Sequence, residues 1–130
     1  MLATPHMVIA DDDRAFRETL EGVFVAQGFR TTLAVDGEEA LEITCREPVH
    51  LMLLDHEMPR LTGLQAIQQI RQHSRKPPWI LISAAIDEAL RAEAQRADAF
   101  CVLDKPVRFR DLNSVVQTAM QVNYAWSPAS

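Results

Sequence analysis

The sequence predicts an α/β domain, a doubly wound parallel sheet with helices on both faces, and three observations carry that reading. Short apolar runs alternate five times with stretches whose apolar residues recur at helical spacing, which is the pattern of successive βα units. The runs are apolar at consecutive positions, as in LMLL at 51–54, and strands buried on both faces read that way. Polar residues stand where these runs stop, and in a parallel sheet all such stops share one edge.

Each element follows in order. Residues 7–10 (MVIA) form the first strand, and a helix follows over 14–27 with Phe16, Leu20, Val23 and Phe24 on one face and Gly28 as its stop. Residues 31–34 form the second strand, and Asp36-Gly37 turns the chain into a helix carrying Ala40, Leu41 and Thr44. The third strand is 51–54, and its helix carries Leu64, Ile67 and Ile70 and ends before Lys76-Pro77-Pro78. Residues 79–82 (WILI) form a fourth strand ending on Ser83, followed by an Ala-rich helix over 87–97. The fifth strand is 99–103, and the last helix has the clearest stripe, in Leu112, Val115, Val116 and Ala119. The domain spans residues 6–122, with 1–5 as an N-terminal extension and 123–130 as a tail or the start of a linker.

Composition narrows the function classes. A chain of 130 residues is a single-domain length with room for a real core. Its net charge of -5 argues against nucleic acid as a direct partner, because phosphate backbones attract basic faces. No apolar run approaches the roughly 20 residues that span a bilayer, and MLATPH lacks the features of a secretory signal. Cys45 and Cys101 match no metal spacing and read as reduced core thiols of a cytoplasmic protein.

The strand ends carry the chemistry. The first strand ends in Asp11-Asp12-Asp13, the third in Asp55, the fourth in Ser83, and the fifth just before Lys105-Pro106. Singly, each has a plain alternative: an acidic run caps a helix, Ser83 is a turn hydroxyl, Lys105 a solvated charge. Together they place four chemical groups on one edge. Clustered carboxylates repel, so a proton, a lysine or a metal must neutralise them. An all-oxygen set suits Mg²⁺, which takes one or two carboxylates and keeps several waters. A lysine and a serine hydroxyl opposite them can hold phosphoryl oxygens, and a carboxylate beside the metal can be the nucleophile.

VIADDD, AVDGEEAL, LMLLDHEMPRLTGL, ILISA and VLDKP, in this order and at this spacing, resemble the receiver domain of two-component response regulators, over residues 6–122. The resemblance implies a (βα)5, flavodoxin-like sheet of order 2-1-3-4-5. It implies that Asp55 accepts a phosphoryl group from a histidine kinase or phosphotransfer protein, with Mg²⁺ held by Asp11, Asp12, Asp55 and the backbone carbonyl of Glu57. Ser83 takes the position of the hydroxyl that moves onto the phosphoryl group, Lys105 that of the lysine that pairs with it, and Lys105-Pro106 is expected cis. Asp13 reads as a helix cap. Glu57 and Ala85 would flank the path of the water that hydrolyses the aspartyl phosphate. An output domain or protein would meet the face formed by the fourth helix, fifth strand and fifth helix.

Two positions depart from that family's pattern. Val102 stands where receivers usually carry Tyr or Phe, and its stiff side chain has no ring to rotate; Phe100 is expected on the same face, further up the strand. Asp98 stands where Gly is common, and Asp tolerates left-handed geometry. Two other readings stay open. Asp11-Asp12-Asp13 fits the D-x-D of haloacid-dehalogenase-type phosphatases, with Asp11 as nucleophile and Asp13 as general acid, although Asp55 then goes unexplained. A pseudo-receiver that binds without taking a phosphoryl group is the third.

Overall fold

The computed structural model describes residues 2–73 and 77–128. Lys76 of the expected helix stop, Met1 and the last two residues of the expected tail fall outside that range. Five strands alternate with five helices: β1 (His6–Ala10), α1 (Arg14–Ala26), β2 (Arg30–Ala34), α2 (Gly37–Arg46), β3 (Leu51–Asp55), α3 (Gly63–His73), β4 (Trp79–Ser83), α4 (Glu88–Arg96), β5 (Cys101–Asp104) and α5 (Phe109–Tyr124). The sheet is parallel throughout, as the alternating pattern predicts, and its order is β2-β1-β3-β4-β5, as the resemblance implies.

Consecutive apolar residues explain the two-sided core. In a strand, neighbours point to opposite faces. Val8, Ala10, Met52, Leu54 and Leu81 therefore pack with α2, α3 and α4 through residues such as Ile43, Ile67 and Ala94. Met7, Ile9, Leu51, Leu53, Ile80 and Ile82 pack with α1 and α5 through Leu20, Phe24, Leu112 and Val116. Every residue of β1, β3 and β4 is buried. His6, a polar residue in β1, is satisfied there: its ring nitrogens lie 2.9 Å from the Pro48 carbonyl and 2.7 Å from Thr32 Oγ1.

Aspartates start three helices. The side chains of Asp13, Asp36 and Asp87 accept from the amides of Phe16, Glu39 and Leu90, each cap contributing about 1 kcal/mol. Asp13 is thus a cap, as expected. Asp98 has φ 63°, the left-handed geometry for which Asp is suited.

Four details correct the sequence reading. β5 begins at Cys101, two residues later than expected, so Phe100 precedes the strand. Strict alternation does not reach it, and Phe100 packs on the α1–α5 side with Cys101 and Leu103, whereas Val102 packs on the α2–α4 side. Cys45 is exposed, because α2 turns Ile43 and Thr44 inward and its next residue outward, and Cys101 on β5 is only half-buried. α5 runs through Tyr124, into the stretch expected as a tail. Beyond it the chain folds back: the Tyr124 hydroxyl donates to the His50 carbonyl at 2.7 Å, and Trp126 meets Phe29 edge-on at 4.8 Å.

Candidate functional site

The strand order reverses between β1 and β3, with β2 on one side and β4 and β5 on the other. A crevice opens at the C-terminal edge at such a point, because the flanking loops leave in opposite directions. Asp11 follows β1 there and Asp55 ends β3. Both are buried, with 2% and 1% of their surface exposed. One oxygen from each of Asp11, Asp12 and Asp55 lies within 4.8 Å of the others. Lys105, just past β5, brings Nζ to 2.9 Å from Asp55 Oδ1 and 3.8 Å from Asp11 Oδ2. The Lys105-Pro106 peptide bond is cis, as the resemblance implied.

Backbone groups hold the two buried acids. The Asp13 amide donates to Asp11 Oδ1 at 2.8 Å, and the Glu57 amide to Asp55 Oδ1 at 3.1 Å. Arg17, which the sequence reading did not single out, donates from Nη1 to the Asp11 carbonyl at 2.7 Å and ties the loop to α1. Gly63 starts α3 against the back of the site. A Cβ there would lie 2.6 Å from the Asp55 carbonyl oxygen and 2.9 Å from Leu81 Cδ1, so only glycine lets the helix approach this closely.

Burial dominates the electrostatics. It raises the Asp11 carboxyl from 3.8 to about 6, against the pull of the Asp13 amide, and the charge of Asp55 adds to the rise. Burial also raises Asp55, more than the Lys105 hydrogen bond and charge lower it. For Lys105 burial is the largest single influence and lowers it, but the bond to Asp55 and the charges of Asp11, Asp55 and Glu57 together win and raise it. The acids therefore resist carrying their charges together, while the lysine stays cationic.

Asp55 Oδ2 is buried with no hydrogen-bond partner among the described residues. An unsatisfied buried acceptor costs roughly 1–3 kcal/mol, more when charged. A hard divalent cation answers both defects, since it offers a positive partner to that oxygen and removes the repulsion between carboxylates. The donors are all oxygen, the set that Mg²⁺ takes. The residues fit the ion.

Ser83 ends β4, fully buried. Its Oγ donates to Glu57 Oε2 at 2.6 Å, and the Ala84 amide donates to Glu57 Oε1 at 2.7 Å. The Ala85 amide in turn donates to Ser83 Oγ at 3.1 Å. The sequence reading assigned Glu57 only through its backbone carbonyl and as a flank of the water path. Its carboxylate, clamped on the β4–α4 loop, has no role in that expectation. The available signal was an acid two residues past Asp55 and a hydroxyl closing the next strand, which acquires meaning only once β3 and β4 are neighbours. The structure thus brings Asp11, Asp12, Asp55 and Lys105 together and holds Ser83 through Glu57. Asp13 turns its carboxylate to the Phe16 amide of α1 instead, away from the general-acid role of the phosphatase reading.

Comparison with known proteins identifies the family. The profile of the response regulator receiver domain matches residues 7–117. Regulatory protein AtoC of Escherichia coli (strain K12) is 34% identical over 122 residues, covering 94% of this chain and 26% of its own length. Regulator of RpoS from the same organism is 38% identical over 112 residues, covering 86% of this chain and 33% of its own. The chain therefore spans about a quarter to a third of these relatives. The crystal structure of a CheY-like receiver domain protein from Methanospirillum hungatei JF-1 superposes with a TM-score of 0.86 at 20% identity, covering 92% of this chain and 95% of that one, a likeness of fold. With strand order, acidic cluster and sequence in agreement, the chain belongs to the response regulator receiver domain family, whose members accept a phosphoryl group on an aspartate.

Proposed function

We propose that this chain takes a phosphoryl group onto Asp55 from the phosphohistidine of a sensor kinase or phosphotransfer protein, and thereby switches an output surface. The observation that carries the assignment is the state of Asp55: buried, closing a central strand, with one oxygen on Lys105 and the other without a partner among the described residues. A carboxylate oxygen of Asp55 attacks phosphorus as the P–N bond of the donor breaks, the electron pair leaving with the imidazole. Lys105 balances charge on the phosphoryl oxygens, and the hydroxyl of Ser83 donates to another. Asp11, Asp12, Asp55 and the Glu57 carbonyl would hold Mg²⁺, with Asp12 the most direct ligand. When bound, that ion shields the carboxylates from one another and stabilises charge on the transferred group. The chain's part is fixed placement of nucleophile, lysine and ligands. Its catalysis is confined to its own phosphorylation and dephosphorylation.

The switch would act through α4, β5 and α5, toward an output domain of the same protein or a separate partner. The acidic balance of the chain makes nucleic acid an unsuitable direct ligand for this domain. No helix among the described residues is long and apolar enough to cross a membrane. The test is intact-mass analysis after acetyl phosphate with Mg²⁺: one phosphoryl group is expected on the parent and none on Asp55→Asn. Labelling that survives in Asp55→Asn and disappears in Asp11→Asn would assign the nucleophile to Asp11 instead.

A further inference from the structure

Ser83 Oγ and the Ala84 amide are two donors on one loop, aimed at one point, and an anion already sits there. The Glu57 carboxylate meets both, one oxygen to each, at 2.6 and 2.7 Å. Such a bidentate pair, one hydroxyl and one backbone amide, is the kind of cradle that holds a phosphoryl group. Asp55 ends its strand one residue from the register partner of this loop, since it pairs with Ile82 and Ser83 follows. On the proposed function, a phosphoryl group on Asp55 takes the Ser83 hydroxyl, a donor that the Glu57 carboxylate already holds.

We infer that the Glu57 side chain is an internal stand-in for the phosphoryl group, which must be displaced from Ser83 and Ala84 before the active arrangement forms. Glu57 is then a positioning residue: it holds the β4–α4 loop in its resting place and sets how far phosphorylation shifts the equilibrium. A ligand shifts two states only by its differential affinity for them, and here part of that difference is spent on breaking two charge-assisted hydrogen bonds. Glu57 is exposed, so its replacement leaves the core intact. The inference rests on Asp55 being the acceptor.

Beryllofluoride with saturating Mg²⁺, titrated into the full chain, reads the competition. Glu57→Ala should bind it at least about tenfold more tightly, since each of the two charge-assisted hydrogen bonds that Glu57 no longer makes is worth about that factor or more. Glu57→Asp keeps the charge but is one methylene shorter and should also bind more tightly. In a Ser83→Ala background the gain from Glu57→Ala should shrink, because one contested donor is gone. The Ala84 amide proton of the unliganded protein should shift upfield in Glu57→Ala. Equal or weaker binding by Glu57→Ala, an unmoved Ala84 amide, or a gain seen in Glu57→Ala but absent in Glu57→Asp (simple charge repulsion) would overturn the inference. If the parent binds no beryllofluoride and takes no label at Asp55, the acceptor assignment fails and the inference falls with it. Parent binding with no gain in the variants overturns the inference alone.

Discussion

Asp11 shows how a single buried acid writes itself into stability. Its carboxyl titrates near 3.8 when the chain is unfolded and at about 6 when folded. Between those values the native state binds more protons than the unfolded one, so stability falls as pH rises through the window. The loss is fully developed above pH 6 and absent below 3.8, and the distance between the two values limits it to about 3 kcal/mol at most. In EDTA, thermal melting of the parent should therefore decline more steeply between about pH 4 and 6.5 than that of Asp11→Asn. Parallel pH profiles for the two proteins would refute this. Asp55 is raised in the same direction by the same burial, so it adds to the slope. Gly63 works at this scale too, by omitting a side chain so that the α3 backbone can press on the carbonyl of Asp55.

At the scale of the element, β5 is an edge strand and the least buried of the five. Its four residues are half-buried or exposed, whereas β1, β3 and β4 are wholly buried. Val102 faces the α2–α4 side with a short branched side chain, where a ring would reach further. Phe100 does not replace it, since it packs against the other side. Rearrangement on activation should consequently centre on residues 83–87 and the Lys105-Pro106 turn. Amide chemical shifts with and without beryllofluoride and Mg²⁺ measure this. Large changes through α4 and α5, unaltered in Val102→Ala, would show that another route carries the switch. The C-terminal segment is anchored by Tyr124 and Trp126 on residues that immediately precede β3 and β2.

For the whole molecule, the site is a property of topology. Asp11 and Asp55 are far apart in sequence, and so are Asp55 and Lys105, yet parallel pairing of β1, β3, β4 and β5 sets their loops side by side. Closing the fold forces like charges together, and a ligand that relieves them binds the native state alone. Mg²⁺ should therefore raise the melting temperature with concentration, by the mass-action relation that gives about 2.7 kcal/mol at a hundredfold excess over Kd. The rise should be lost most completely in Asp12→Ala. A variant at Asp12 that titrates with Mg²⁺ like the parent would remove that residue from the ligand set.

The fold was legible because local patterns bear on it directly. Consecutive apolar runs state that a strand is covered on both faces, helical spacing states which side of a helix is inward, and an aspartate before a helix states where it begins. The acids at the ends of β1 and β3, with Ser83 and Lys105, could be read as one cluster for the same reason: parallel strands put their ends on one edge. Other features depend on which loops become neighbours, and no local pattern contains that. The grip of Glu57 on Ser83 and Ala84, the burial of Asp55 Oδ2 with no partner among the described residues, and the tie from Arg17 to Asp11 all depend on the packed loops. Phe100 shows the limit from the other side, since period-two alternation predicts its face only if it lies within the strand, and β5 starts after it. The sequence by itself determined the layers and the chemical inventory of the edge, because burial and periodicity are properties of short segments. The tertiary structure alone decided which donor meets which acceptor, because a hydrogen bond needs its partners placed to within a fraction of an ångström and only the packed fold does that.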